Sequence, residues 1–103
     1  MQVTFYNQVQ LVMSAFAIEW NGGNSSRTAV IGFGQSITID TEDSLQKGEK
    51  IPDGTSCWAR AYVQAAPNHD SSDNFTYHAT AGPVEYTLTG TLDDTSFSCQ
   101  GCS

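Results

Sequence analysis

Polar and apolar residues alternate along Val84-Glu85-Tyr86-Thr87-Leu88-Thr89-Gly90-Thr91-Leu92. Val84, Tyr86, Leu88, Gly90 and Leu92 fall on one parity; Glu85, Thr87, Thr89 and Thr91 fall on the other. Successive side chains of a strand point to opposite faces, so this segment reads as a half-buried β-strand. The same period runs through Val12, Ser14, Phe16, Ile18 and Trp20 against Met13, Ala15, Ala17 and Glu19. Extended over the chain, the pattern predicts about seven strands. They are Val3–Asn7, Val12–Trp20, Arg27–Ile31, Gln35–Asp40, Cys57–Ala65, Phe75–Thr80 and Val84–Leu92. Turn residues punctuate them: Asn21-Gly22-Gly23-Asn24, Gly32-Phe33-Gly34, Pro52-Asp53-Gly54 and Ala81-Gly82-Pro83. No segment sustains a 3.6-residue apolar period; Thr41–Lys50 offers at most one helical turn, with Ser44 as its cap.

Short strands with turn signals every ten residues or so predict one all-β domain over residues 1–103. Its expected architecture is an antiparallel β-sandwich, immunoglobulin-like. The expected core is Val3, Phe5, Phe16, Ile18, Ile37, Ile39, Ala59, Ala61, Val63, Phe75, Tyr77, Tyr86 and Leu88. The strand from Cys57 admits two arrangements. With Cys57, Ala59, Ala61 and Val63 inward, Trp58, Arg60 and Tyr62 make an exposed aromatic and cationic platform. With the large residues inward, Trp58 becomes the central core tryptophan and Arg60 must be buried and paired, which is costly.

Composition narrows the partners. Charged residues are 15% of the chain and the formal net charge is −7. The only cations are Arg27, Lys47, Lys50 and Arg60. A phosphate backbone needs clustered Lys and Arg, so nucleic acid is excluded, and an anionic lipid surface is disfavoured. A glycan or a zwitterionic lipid headgroup stays open. No apolar run is long enough to cross a bilayer. The run Leu11–Ala17 lacks a preceding basic residue and is read as strand, not signal peptide. The expected location is therefore the cytoplasm, or outside by a non-classical route. The sequons Asn24-Ser25-Ser26 and Asn74-Phe75-Thr76 are then expected to go unused.

Candidate chemistry is sparse. No G-x-S-x-G elbow is present and the two histidines, His69 and His78, form no triad pattern. The carboxylate pairs Glu42/Asp43, Asp70/Asp73 and Asp93/Asp94 sit among Ser, Thr and Asn. They read as solvated loop charges and not as a desolvated acid–base pair. The chain is accordingly expected to have no catalytic site and no cofactor; a hydrolase built on loop carboxylates would need a deep cleft. Calcium is the one cofactor alternative, with Asp70 and Asp73 offering hard oxygen ligands, although the spacing matches no EF-hand. The three cysteines are Cys57, Cys99 and Cys102. Cys99-Gln-Gly-Cys102 has redox and zinc spacing but sits in a polar C-terminal stretch, so it reads as a tail feature. A bridge from Cys57 to Cys99 or Cys102 is the next use, and zinc the third.

The loop Trp20-Asn21-Gly22-Gly23-Asn24 is the sharper candidate. A sugar stacks its apolar face on an aromatic ring while amides and carboxylates take its hydroxyls, and Trp20, Asn21, Asn24 and Glu19 supply both parts. The alternative is that Trp20 ends a strand and caps the core.

Four stretches also carry a resemblance: Ala15-Phe16-Ala17-Ile18-Glu19-Trp20, Gly34-Gln35-Ser36-Ile37-Thr38-Ile39-Asp40, Ile51-Pro52-Asp53-Gly54-Thr55 and Tyr86-Thr87-Leu88-Thr89-Gly90-Thr91-Leu92. Together they resemble small microbial β-sandwich proteins, themselves distantly similar to the C-terminal, membrane-recognising domain of cholesterol-dependent cytolysins. That domain carries an F/Y-x-I-x-W strand, matched at Phe16, Ile18 and Trp20. It also carries a G-T-T-L segment, where this chain reads Gly90-Thr91-Leu92 and lacks the second threonine. The tryptophan-rich undecapeptide is absent, so pore formation and cholesterol binding are not implied. A looser similarity is to aegerolysins, acidic β-sandwiches that recognise membrane lipids. The resemblance implies the sandwich.

The function expected from these residues is non-enzymatic recognition. A lectin-like module would bind a glycan or polar lipid headgroup through Trp20, Asn21, Asn24, Trp58, Arg60 and Tyr62. The alternative is a toxin component or effector acting on a membrane or protein partner. Self-association is a further expectation, through Val84–Leu92 as an unpaired sheet edge.

Overall fold

The computed structural model describes residues 1–42, 50–64, 66–78 and 80–102. The fold is an all-β sandwich. Its strands are β1 (Gln2–Asn7), β2 (Ser14–Trp20), β3 (Gly23–Asn24), β4 (Ser36–Asp40), β5 (Ser56–Val63), β6 (His69–Asp70), β7 (Phe75–Thr76), β8 (Val84–Thr91) and β9 (Asp94–Gln100). One sheet has the order β4-β1-β8-β9 and the other β3-β2-β5-β6, with β7 paired to the start of β5. There is no helix among the described residues. The helical turn expected within Thr41–Lys50 falls on 43–49, outside the described residues, as do Asp43 and Ala65.

Alternation fixes the inner faces. Val3 and Phe5 of β1, Tyr86 and Leu88 of β8, Phe16 and Ile18 of β2, and Cys57, Ala59 and Ala61 of β5 are all fully buried. The two layers meet through rings. Phe5 stacks on Phe16 with centroids 5.0 Å apart, and Phe16 meets Phe97 edge-on at 6.2 Å. Of the expected core, only Ile37 is merely half-buried, because β4 is an edge strand. Met1, Val9, Val12, Trp20, Ile31, Ile51, Cys57 and Val84 join that core.

Several expectations change. The pairing is not wholly antiparallel: β1 runs parallel to β8, with Val3 opposite Val84 and Asn7 opposite Leu88. The strand Val84–Thr91 is not an edge, since β1 flanks it on one side and β9 on the other. Self-association through its unpaired edge is therefore ruled out. The C-terminal stretch is not a tail: Asp94–Gln100 forms β9, and Cys99 and Cys102 are joined in a disulfide across the turn that follows it. Cys57 is free and buried, and burial pushes its thiol up to about 11. Among the described residues of Phe75–Thr80, strand covers Phe75–Thr76; Ala79 lies outside the described residues.

The segment expected as strand Arg27–Ile31 does run along β2, but it makes no regular ladder. Ser25 N–H donates to Ile18 O (2.8 Å), Thr28 N–H to Phe16 O (2.8 Å), and Ile31 N–H to Ser14 O (2.9 Å). Each step takes three residues against two on β2. The extra residue carries the carbonyl out of reach, and a side-chain hydroxyl replaces it. Ile18 N–H donates to Ser25 Oγ (2.8 Å) and Phe16 N–H to Thr28 Oγ1 (3.0 Å). β2 is thereby flanked on both sides, and all seven of its residues are buried.

Asn7 ties the loops at one end. Its Nδ2 donates to Val12 O (2.9 Å) and Ile31 O (3.1 Å), and its Oδ1 accepts from Val9 N–H (3.0 Å). Backbone bonds from Asn7 N–H to Gln35 O and from Gly34 N–H to Asn7 O close the same region. A fully buried asparagine that satisfies three backbone groups fixes the β1–β2 loop against the segment before β4.

Candidate functional site on the outer face of the second sheet

β5 takes the first of its two arrangements. Cys57, Ala59, Ala61 and Val63 face inward, and Trp58, Arg60 and Tyr62 lie half-buried on the outside. The neighbouring positions of β2 on that face are small: Tyr62 lies opposite Ala15 and Arg60 opposite Ala17. Large β5 side chains beside alanines leave those alanines buried on the outer face. The next rank down holds Glu19, in register with Trp58 on β5 and Asn24 on β3.

An ion cluster occupies the middle of this face. Arg60 donates through Nε and Nη2 to the two carboxylate oxygens of Asp70 on β6, which lies directly opposite it. Its Nη1 is 2.7 Å from Glu19 Oε1. Two carboxylates thus share one guanidinium. Arg27 lies over the face of Tyr62, with Cζ 3.7 Å from the ring centroid, a cation–π contact. Glu19 is only 7% exposed, and its Oε2 is buried without a hydrogen-bond partner. Burial raises the Glu19 carboxyl above its ordinary range; Arg60 opposes that shift and Asp70 adds to it. Asp70 shifts the other way, because the hydrogen bonds from Arg60 hold its carboxyl low. The arrangement offers aromatic surface at Trp58, hydrogen-bonding carboxylates beside it, and a guanidinium locked in place.

The expected site residues separate into two groups. Trp58, Arg60 and Tyr62 come together on this face, and Asn24 sits at its margin beside Glu19. Trp20 does not join them. It is 7% exposed, and its ring packs beneath the Gly22–Gly23 turn: a Cβ on Gly23 would lie 3.1 Å from Trp20 Cζ2. Its indole is the core cap, so it offers no stacking face, and Asn21 stands exposed in the turn without it. Asp70 spends both oxygens on Arg60, while Asp73 contributes its backbone carbonyl to Tyr86 Oη (2.9 Å). Among the described residues no three His, Cys, Asp or Glu side chains gather as metal ligands. Glu42 is not a plain solvated charge, since Tyr77 Oη donates to its Oε1 at 2.8 Å.

Arg27 was not anticipated as part of the face, because nothing local in the sequence marks which aromatic a loop arginine will cover. The apolar group Leu11, Met13 and Phe33 at the Asn7 end was likewise not foreseen. Phe33 between two glycines in a turn was its one available sign. A scan of protein-family models and searches of curated proteins and solved structures find no match to this chain. No helix among the described residues is long and apolar enough to cross a membrane.

Proposed function

We propose that this protein is a non-enzymatic, lectin-like recognition module whose ligand is a glycan or a polar lipid headgroup. The outer face of the second sheet is the binding surface. The observation that carries this reading is that alternation along β5 delivers an indole, a guanidinium and a phenol to one face, with two carboxylates beside them. Trp58 supplies the stacking surface. Asn24 supplies an amide at the margin, and the solvent-facing edge of Asp70, whose side chain is 43% exposed, keeps acceptor capacity beyond its bonds to Arg60 for hydroxyl or ammonium groups. Arg60 fixes the two carboxylates, and Arg27 takes one face of Tyr62, which leaves Trp58 as the freer ring. Arg27 and Arg60 balance Glu19 and Asp70, so the face is neutral overall and suits neutral or zwitterionic ligands better than anions.

The test is binding to a glycan array and to phosphatidylcholine vesicles. Wild type binds one of them, and Trp58→Ala loses at least about tenfold in affinity. No binding to either surface, or binding that Trp58→Ala leaves unchanged, removes this reading.

A further inference from the structure

The disulfide at the end of β9 is a reactive group that the recognition face does not use. Cys99 lies near the end of β9, the outer strand of the first sheet, and Cys102 follows at a sequence separation of 3. Gly101 makes the turn between them: its φ is +84°, and a Cβ there would lie 2.6 Å from Pro83 O. Both cysteines are half-buried, at a sheet edge that a small thiol can approach. The bridge adds little to the fold. The entropy that a cross-link takes from the unfolded chain falls with loop length, and this loop is short. Its ends are already placed, Cys99 opposite Tyr86 in the β8–β9 ladder and Cys102 by the turn against Pro83.

The surroundings favour the open form. Cys102 Sγ is 3.6 Å from Tyr86 Oη, whose own hydrogen goes to Asp73 O at 2.9 Å. A disulfide sulfur has no proton to give and takes little from that contact. A thiol donates to the spare lone pairs of Oη, and a thiolate accepts the phenol hydrogen. The reduced pair therefore gains a bond that the oxidised pair lacks, and stabilising the reduced form raises the reduction potential.

We propose that Cys99–Cys102 is a reversible thiol–disulfide exchange site, opened by a glutathione-class thiol at Cys99 with Cys102 as the leaving sulfur. One reductant thiolate attacks Cys99 Sγ. The Cys99–Cys102 bond breaks, and its electron pair leaves on Cys102 beside Tyr86 Oη. A second reductant thiolate attacks the sulfur of the first, releases Cys99 and departs with it as the oxidised disulfide. The two protons that the reductant thiols gave up end on Cys99 and Cys102, and two electrons have passed to the protein. Cys57 stands apart from the exchange, because it is buried and its thiol is pushed up to about 11.

Equilibration with glutathione, followed by maleimide trapping and mass spectrometry, tests this. In a glutathione buffer as reducing as a cytosol, about half or more of the wild type takes up maleimide at both Cys99 and Cys102, with near-ultraviolet circular dichroism retained. Tyr86→Phe keeps the ring and removes the hydroxyl. It lowers the ratio of reduced to oxidised protein roughly fivefold in the same buffer, about 20 mV for a two-electron couple. Cys102→Ser forms the glutathione mixed disulfide faster than Cys99→Ser does. A bridge that stays closed in this buffer and opens only in denaturant is a structural tie and overturns the proposal. So does a ratio that folded Tyr86→Phe leaves unchanged, or the reverse order of the two serine variants. The wild-type measurement needs no substitution, so it decides should Tyr86→Phe fold poorly.

Discussion

The outer faces of the two sheets differ more than any other pair of surfaces here. On the first sheet, hydroxyls lie opposite hydroxyls: Thr4 with Thr38, Thr87 with Ser98, Thr89 with Ser96. Thr4 Oγ1 and Thr38 Oγ1 are 2.7 Å apart, and Thr89 Oγ1 and Ser96 Oγ are 3.2 Å apart. On the second sheet, two aromatics, two arginines and two carboxylates interlock. The inner faces of both sheets are apolar and close-packed. Strand alternation therefore constrains one side of each sheet and leaves the other free to specialise. The hydroxyl face depends on strand geometry and little on any one side chain. The ionic face depends on charges that are stable only together.

Four substitutions or titrations test that contrast. The largest effect belongs to Gly90→Ala. Gly90 has φ +101°, and a Cβ there would lie 2.2 Å from Asp94 O, so the β8–β9 hairpin must open. We expect a loss of about 3–4 kcal/mol in denaturant unfolding, from strain plus overlap. Arg60→Ala comes next. It strands Glu19, whose side chain is only 9% exposed, and should cost about 2–4 kcal/mol. Adding Glu19→Leu to Arg60→Ala should recover much of that loss, because the buried charge goes too. If Arg60→Ala costs no more than a surface substitution, the ionic face is not held by its charges.

The third effect is a pH profile. Glu19 has a raised carboxyl pKa, so the native state takes up its proton before the unfolded chain does. Stability then rises as pH falls from neutral toward the ordinary glutamate value of 4.5. Asp70 has a lowered pKa, so its contribution is lost as pH falls below the ordinary aspartate value of 3.8. Glu42, held low by hydrogen bonding that involves Asp40, the N-terminal ammonium and Tyr77, adds to the same acid loss. The profile should peak between the two limbs, and Glu19→Gln should flatten only the upper one. A profile that Glu19→Gln does not alter would separate the buried carboxylate from the pH response. The smallest effect is Thr87→Ala on the hydroxyl face, within about 0.5 kcal/mol of wild type.

What the sequence made legible was whatever repeats with period two. β1, β2, β4, β5 and β8 were each readable to within two residues, because their apolar positions alternate. Parity alone leaves two arrangements of β5 open, with the cost of burying Arg60 leaning only slightly toward the one observed. β9 escaped because its inward residues, Thr95, Phe97 and Cys99, include one strong apolar side chain among serines. The segment after Asn24 escaped because its period is three against two, which alternation cannot register. Trp20 shared the parity of Phe16 and Ile18, and its burial was available from that fact alone. Leu11 was drawn into an apolar run with Val12 and Met13; only the backbone turn at φ 60° shows that it leaves the core.

The placement of β1 has a consequence for how the chain becomes a sandwich. Its first strand is an interior strand, antiparallel to β4 on one side and parallel to β8 on the other. The β4 side can zip early. The other side waits for a segment some eighty residues downstream, since Val3 pairs with Val84. During synthesis β1 must therefore keep one row of amides unclaimed until β8 has emerged. Pairing between segments so far apart in sequence is slow to form, because the loop entropy is lost before the contact is gained.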